Sequence, residues 1–157
     1  MPMRITLFCL AIFFVLTFSA LAQIVVSVDK EEYVQGEVVE VVVTNDSDVP
    51  IWYARYAECG SSFWVLKDCQ LKECYYYWPC KWPHPQHYFE KLEPKGSLKY
   101  EWNGETWDTQ EEDFKLIEPG CFVVVFPYIN ANESPTSFEW EADQKGVHSP
   151  KFRIKEF

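Results

Sequence analysis

The chain has 157 residues, 48% of them apolar and 18% aromatic, and a formal net charge of −10. A chain of this length has room for one domain with a single core and little for a second. Its acidic excess repels phosphate backbones and anionic lipid heads, which excludes nucleic acid and membrane surfaces as expected partners.

In chain order, Arg4 comes first, succeeded by an uncharged apolar run from Ile5 to about Phe18 and then by Ala20-Leu21-Ala22. That is the pattern of a secretory signal peptide over residues 1–22, with cleavage expected after Ala22 and a single domain over 23–157. The run is short for a membrane span. Cys9 comes after Phe8 rather than a small residue, which speaks against a lipid anchor. Loss of Arg4 takes the net charge from −10 to −11. The expected location is secreted or periplasmic, with no membrane contact after cleavage.

Strand signals dominate residues 23–157, because β-branched and aromatic residues come in short runs punctuated by Pro, Gly, Asn and Asp. Strands are predicted at Ile24 to Val28 and at Val38 to Thr44, where Val39, Val41 and Val43 share one face. Asn45-Asp46-Ser47-Asp48-Val49-Pro50 is turn chemistry, since short polar side chains can bond their own backbone. Ile51 to Tyr56 and Phe63 to Lys67 continue the series. Glu93-Pro94-Lys95-Gly96 suits a type I turn, and the alternating Leu98 to Trp102 comes after it. The run Thr109 to Leu116 reads as a short helix or a loop. Glu118-Pro119-Gly120-Cys121 suits a type II turn with Gly120 at positive φ. The next run, Cys121 to Tyr128, is apolar on both faces, as a central strand would be. Thr136 to Trp140 and Phe152 to Ile154 complete the set. Short strands with frequent turns and no long helix predict an all-β, antiparallel β-sandwich. No internal repeat or low-complexity tail is present.

The order of these pieces resembles the BsuPI-type intracellular proteinase inhibitor family. The residues that carry the resemblance are the valine-rich strand running into Asn45-Asp46-Ser47-Asp48-Val49-Pro50-Ile51, then Phe63-Trp64-Val65-Leu66, then Leu92-Glu93-Pro94-Lys95-Gly96-Ser97 with Tyr100-Glu101-Trp102, and finally Ile117-Glu118-Pro119-Gly120-Cys121-Phe122-Val123-Val124-Val125. Phe152 to Ile154 fits the family's last strand. The resemblance implies an immunoglobulin-like sandwich and a protease-inhibitor role. Its motifs are turn and core signatures, with no inhibitory loop to carry over. Export, abundant cysteine, and Cys121 in place of an aromatic residue depart from the family pattern.

Five cysteines lie beyond the leader: Cys59, Cys69, Cys74, Cys80 and Cys121. In an exported chain they favour disulfides. Cys69 and Cys74 flank a loop short enough for a hairpin tip, and Cys59 with Cys80 would bracket the insertion around it; other pairings stay open. A Zn or Cu site using Cys69, Cys74, Cys80, His84 and His87 is the competing reading, weakened by the lack of methionine after the leader and by an oxidising compartment. Cys121 is expected in the core beside Val123 and Val125.

Within the stretch Cys74 to Phe89, CYYYWPCKWPHPQHYF, the segment Trp78 to His87 is the candidate contact surface. Prolines at 79, 83 and 85 rule out a regular ladder around Trp82. Stiff aromatic loops lose little entropy on binding. Trp78, Trp82, His84 and His87 are therefore the expected binding residues, against the plainer alternative of packing over the sandwich edge. His84, His87 and His148 lack a placed catalytic partner, and Glu111-Glu112-Asp113 reads as a solvated acidic face. Asn45-Asp46-Ser47 and Asn132-Glu133-Ser134 match the glycosylation acceptor pattern. The expectation is a non-enzymatic domain without cofactor that binds a protein, an exported protease being one candidate. A structural or accessory role in the envelope is the alternative.

Overall fold

The computed structural model describes residues 24–56, 62–67, 75–77, 87–108, 110–136, 139 and 143–157. The predicted signal peptide lies outside them. Among the described residues thirteen strands are formed: β1 (Ile24–Val28), β2 (Glu32–Val34), β3 (Val39–Asn45), β4 (Ile51–Tyr56), β5 (Trp64–Lys67), β6 (Tyr75–Tyr77), β7 (His87–Leu92), β8 (Ser97–Trp102), β9 (Glu105–Asp108), β10 (Asp113–Leu116), β11 (Gly120–Tyr128), β12 (Lys145–His148) and β13 (Phe152–Lys155).

One sheet has the order β1-β3-β8, and a larger one runs β2-β13-β11-β5-β6 with β12 also paired to β11. Pairing is antiparallel throughout these strands except between β2 and β13, which run parallel. The fold is all-β and sandwich-like, because both sheets feed one apolar core. Val39, Val41 and Val43 of β3 join Phe122, Val124 and Phe126 of β11 and Phe152 and Ile154 of β13 in it. Each such side chain contributes about 1.5–3 kcal/mol by leaving water.

Strict alternation along β3 puts its valines inward, as its sequence period requires. The same alternation corrects one expectation in β11. Phe122, Val124 and Phe126 take the core positions, so Cys121 and Val123 fall on the other face, both half-buried.

Other expectations change as well. Residues 110–116 form no helix: β10 pairs with β9 as a hairpin, Trp107 facing Phe114 and Asp108 facing Asp113. The turn at Glu93–Gly96 closes with a 3.0 Å bond from Gly96 N to Glu93 O, and Lys95 has φ 62°. A positive φ at the third position is the type II arrangement, not type I. Gly120 begins β11 opposite Ile154, and Gly36 and Gly104 are the described glycines at positive φ. Of the strand predicted at Thr136 to Trp140, Thr136 and Glu139 are described and form a reciprocal cap, and the rest lies outside the described residues. Thr136 N donates to Glu139 Oε2 at 2.7 Å, while Glu139 N donates to Thr136 Oγ1 at 3.2 Å. This is the capping-box arrangement of hydrogen bonds.

β4 and β7 form a ribbon of their own, joined to the end of β11 through Trp52 and Ile129, which exchange backbone bonds of 2.9 Å in both directions. The ribbon's position is set at a corner where two chain crossings meet. The β3–β4 connection runs through Asn45 to Pro50, and the β7–β8 connection runs through Glu93 to Gly96. Asn45 is fully buried, and its Nδ2 donates to Val49 O at 2.9 Å, Leu92 O at 3.2 Å and Glu93 O at 3.3 Å. Its backbone closes the same corner: Asn45 N donates to Gly96 O at 3.0 Å, and Lys95 N donates to Asn45 O at 2.7 Å. Ser47 Oγ, also buried, donates to Asn45 Oδ1 at 2.6 Å. One side chain thus joins both crossings and fixes where β4 and β7 leave the corner.

Candidate functional site

From that corner the ribbon runs to Tyr56 and His87, which face each other at its far end. Opposed residues of an antiparallel pair share a face. Ile51 with Leu92 and Tyr53 with Glu90 lie on one side, and Ile51, Tyr53 and Leu92 belong to the main core. Trp52 with Lys91, Ala54 with Phe89, and Tyr56 with His87 lie on the other. On that second face Ala54 and Ile129 make a small separate cluster, with Trp52 and Phe89 packed against it. Trp52 is held there by Nε1, which donates to Ala131 O at 3.1 Å.

The far end is built from rings. His87 meets Tyr56 edge-on at 6.1 Å between centroids and meets Phe89 edge-on at 5.4 Å. Such contacts hold aromatic side chains in place at little cost in rotamer freedom. His87 is exposed and Phe89 half-buried, whereas Tyr56 is buried. Tyr88 projects from the opposite face beside Arg55 and is 47% exposed.

Beneath Tyr88 lies a charged group. Tyr53 Oη donates to Glu90 Oε2 at 2.5 Å, and Arg55 Nη1 reaches Glu90 Oε1 at 3.1 Å. Burial, then the bond to Glu90, pushes the Tyr53 hydroxyl far above its ordinary range. Tyr56 is also raised by burial. Glu90 therefore accepts from both neighbours, and the neutral Tyr53 locks its carboxylate. Arg55 Nε is buried with no hydrogen-bond partner among the described residues.

Nothing in this arrangement supplies a nucleophile beside a base. His87 has rings as its neighbours, and the carboxylate of Glu90 is tied to Tyr53 and Arg55. No group of three or more His, Cys, Asp or Glu that could hold a metal occurs among the described residues. What the site can offer is contact area, with a rigid aromatic end and one anchored ion pair.

Of the expected binding residues, His87 is described, as the first residue of β7. Trp78, Trp82 and His84 lie outside the described residues, as do Cys59, Cys69, Cys74 and Cys80. The strands on either side of Cys69 and Cys74, β5 and β6, pair antiparallel with Lys67 opposite Tyr75. Sequence reading missed Trp52 and Phe89 on one face of the ribbon and Tyr88 on the other. Their signal is the apolar character of both faces of Ile51 to Tyr56, which marks a strand with partners on each side. His148 is exposed in β12, and Glu111, Glu112 and Asp113 are exposed around the hairpin turn. The acceptor pattern at Asn45 is closed in the folded chain, since its amide is buried and bonded to three carbonyls. Asn132 is exposed.

No protein-family model matches the chain, and no curated protein matches it. Among solved structures it is similar to a mutant β-glucosidase from Listeria innocua bound to laminaribiose, with 14% identity and TM-score 0.35 over 85% of this chain and 16% of that one. A β-glucosidase from Erythrobacter marinus aligns with 11% identity and TM-score 0.33, over 83% and 15% of the two chains. A β-D-glucoside glucohydrolase from Trichoderma reesei aligns at TM-score 0.22 and 12% identity, over 71% and 14%. The chain thus spans about 16% of the length of the first of these enzymes. Similarity at such TM-scores carries no inference about this chain's activity.

Proposed function

We propose that this chain is a secreted, non-enzymatic domain of immunoglobulin-like sandwich type that binds another protein through the far end of the β4–β7 ribbon and the Trp78 to His87 segment leading into it. The single observation behind this reading is the ring cluster at that end. Tyr56, His87 and Phe89 are ordered against one another, yet His87 and Tyr88 face solvent. Fixed, exposed aromatics at the edge of a sheet are efficient contact groups, because little entropy is lost when they are covered.

The immunoglobulin-like assignment draws on the sheet orders β1-β3-β8 and β2-β13-β11-β5-β6 sharing one core. It also draws on the corner at Asn45, where two of the stretches resembling the BsuPI-type inhibitors come together. Disulfides Cys69–Cys74 and Cys59–Cys80 belong to the proposal. The first would close the β5–β6 hairpin, and the second would tie the ends of the insertion. An exported protease is the candidate partner.

The test uses the purified protein against a panel of secreted proteases, with Trp82→Ala and Tyr88→Ala as variants. Inhibition by the parent chain that weakens in both variants, at an unchanged thermal transition, supports the reading. If Trp82→Ala abolishes the thermal transition, Trp82 is a core residue and the site assignment is wrong. No inhibition across the panel, with retention of the chain on isolated cell-wall material, favours the accessory envelope role instead.

A further inference from the structure

The β9–β10 hairpin hangs from the end of β8 away from the Asn45 corner, since Trp102 faces Val39 while Ser97 faces Thr44. Its base is tied down. Trp102 Nε1 donates to Glu105 O at 2.8 Å, Ile117 N donates to Gly104 O at 2.9 Å, and Gln35 Nε2 donates to Ile117 O at 2.7 Å. On one face of the hairpin Thr106 of β9 turns inward at 6% exposure, while Lys115 and Asp113 of β10 on the same face are exposed. The opposite face carries Trp107 against Phe114, edge-on at 5.1 Å, and then Leu116 opposite Glu105.

Apart from Glu105 that outer face is apolar, and it is partly in water: Trp107 is half-buried, Phe114 41% exposed and Leu116 45%. An apolar face left partly in water on a fixed hairpin marks a contact surface. The rim around it is acidic. Glu111, Glu112 and Asp113 are exposed at the tip, and Glu105 stands beside Leu116. Lys115, the one basic residue of the hairpin, is paired with Asp108. Asp108 also accepts from Gln110 N at 2.8 Å, which sets the turn.

We infer that the outer face of the β9–β10 hairpin is a docking surface for a cationic protein, whose apolar patch covers Trp107, Phe114 and Leu116 while its Lys or Arg side chains meet the acidic rim. Charge selects this occupant over the others. A second copy carries the same net charge of −10 and would bring acid against acid, and an anionic lipid surface is repelled for the same reason. This surface is separate from the β4–β7 end, so either can fail without the other.

An NMR titration of the labelled protein with a synthetic peptide of alternating lysine and leucine tests it, with a glutamate–leucine peptide as control. Shifts concentrated in Glu105 to Leu116, about a tenfold or greater loss of affinity in Phe114→Ser, and weakening with added salt are the expected results. The charge-reversed pair Glu111→Lys and Glu112→Lys, at positions with no packing role, is expected to weaken binding similarly. The inference is overturned by absence of binding, by shifts centred on Tyr88 and Phe89 or spread over the acidic surface, by equal binding of the glutamate peptide, or by unchanged affinity in Phe114→Ser and in the charge-reversed pair.

Discussion

The two ends of the β4–β7 ribbon are made of the same strands and do opposite things. At the corner end, Ile51 and Leu92 sit in the core beneath a buried amide that donates to three carbonyls of two separate connections. At the far end, five residues and about 17 Å along the strand, rings pack edge-on at the surface and Tyr88 is 47% exposed. Buried polar groups that are fully bonded specify one geometry, because any slip leaves a donor or acceptor unpaired in a low dielectric. Exposed aromatics specify none by themselves; they inherit their placement from the rigid end. The contact surface is therefore held by residues that take no part in contact.

If that division is right, the largest loss of stability comes from the corner. Asn45→Ala removes the three bonds that Nδ2 donates and the two that Oδ1 accepts from Ser47, which predicts a destabilisation of about 3 kcal/mol or more in urea unfolding. A loss as small as that of a surface substitution would show that the corner does not position the ribbon. Gly96→Ala tests the same corner sterically. A Cβ there would lie 2.9 Å from Glu93 O and 3.0 Å from Leu92 Cδ1, so the turn must shift, at about 1–3 kcal/mol by the same measurement.

Alkaline pH loads the other part of the ribbon. Tyr53 and Tyr56 of the ribbon, and Tyr100 of β8, all have hydroxyls raised by burial, and in Tyr53 the bond to Glu90 adds to it. A folded-state value above the unfolded one, which is about 10, contributes stability that is complete below that pH and declines as pH rises past it toward the folded value. Phenolate absorbance is expected to appear together with loss of near-ultraviolet circular dichroism. Ionisation of these tyrosines in a chain that keeps its tertiary signal would contradict the tight Tyr53–Glu90 contact.

Much of the corner was legible in sequence. Asn45 to Pro50 and Glu93 to Gly96 both read as turns, and the valine alternation of β3 predicted its buried face. That one asparagine would serve both turns was not legible, because the two segments are far apart in the chain and nothing local reports their meeting. The turn type at Lys95 was misread because the residue takes φ 62° under tertiary constraint, a conformation that lysine does not advertise. At residues 110–116 acidic composition hid the alternation of Asp113 to Leu116, whose partner strand lies just upstream. The Thr136 to Glu139 cap was readable, since Thr-x-x-Glu is itself the signal, but the aromatic residues around it suggested a strand. The far end was half legible: His87 was expected in the surface, whereas Tyr88 and Phe89 acquire their roles from pairing with Arg55 and Ala54, a register no local pattern encodes.

The smallest stability effect is predicted where the functional effect is largest. Tyr88→Ala removes a ring that is 47% exposed and outside both apolar clusters, so its cost in folding should be no more than about 0.5 kcal/mol. Its loss of contact area at a fixed, ordered edge should weaken partner binding by about tenfold or more. Ala54→Ser makes the contrast. Ala54 is 1% exposed in the small cluster with Ile129, and a hydroxyl there must be desolvated, which costs about 1–3 kcal/mol without touching the exposed rings. Parallel denaturation and binding measurements on the two variants separate the roles. Should Tyr88→Ala destabilise as much as Ala54→Ser, the far end is part of the fold's support, and the ribbon has no end reserved for a partner.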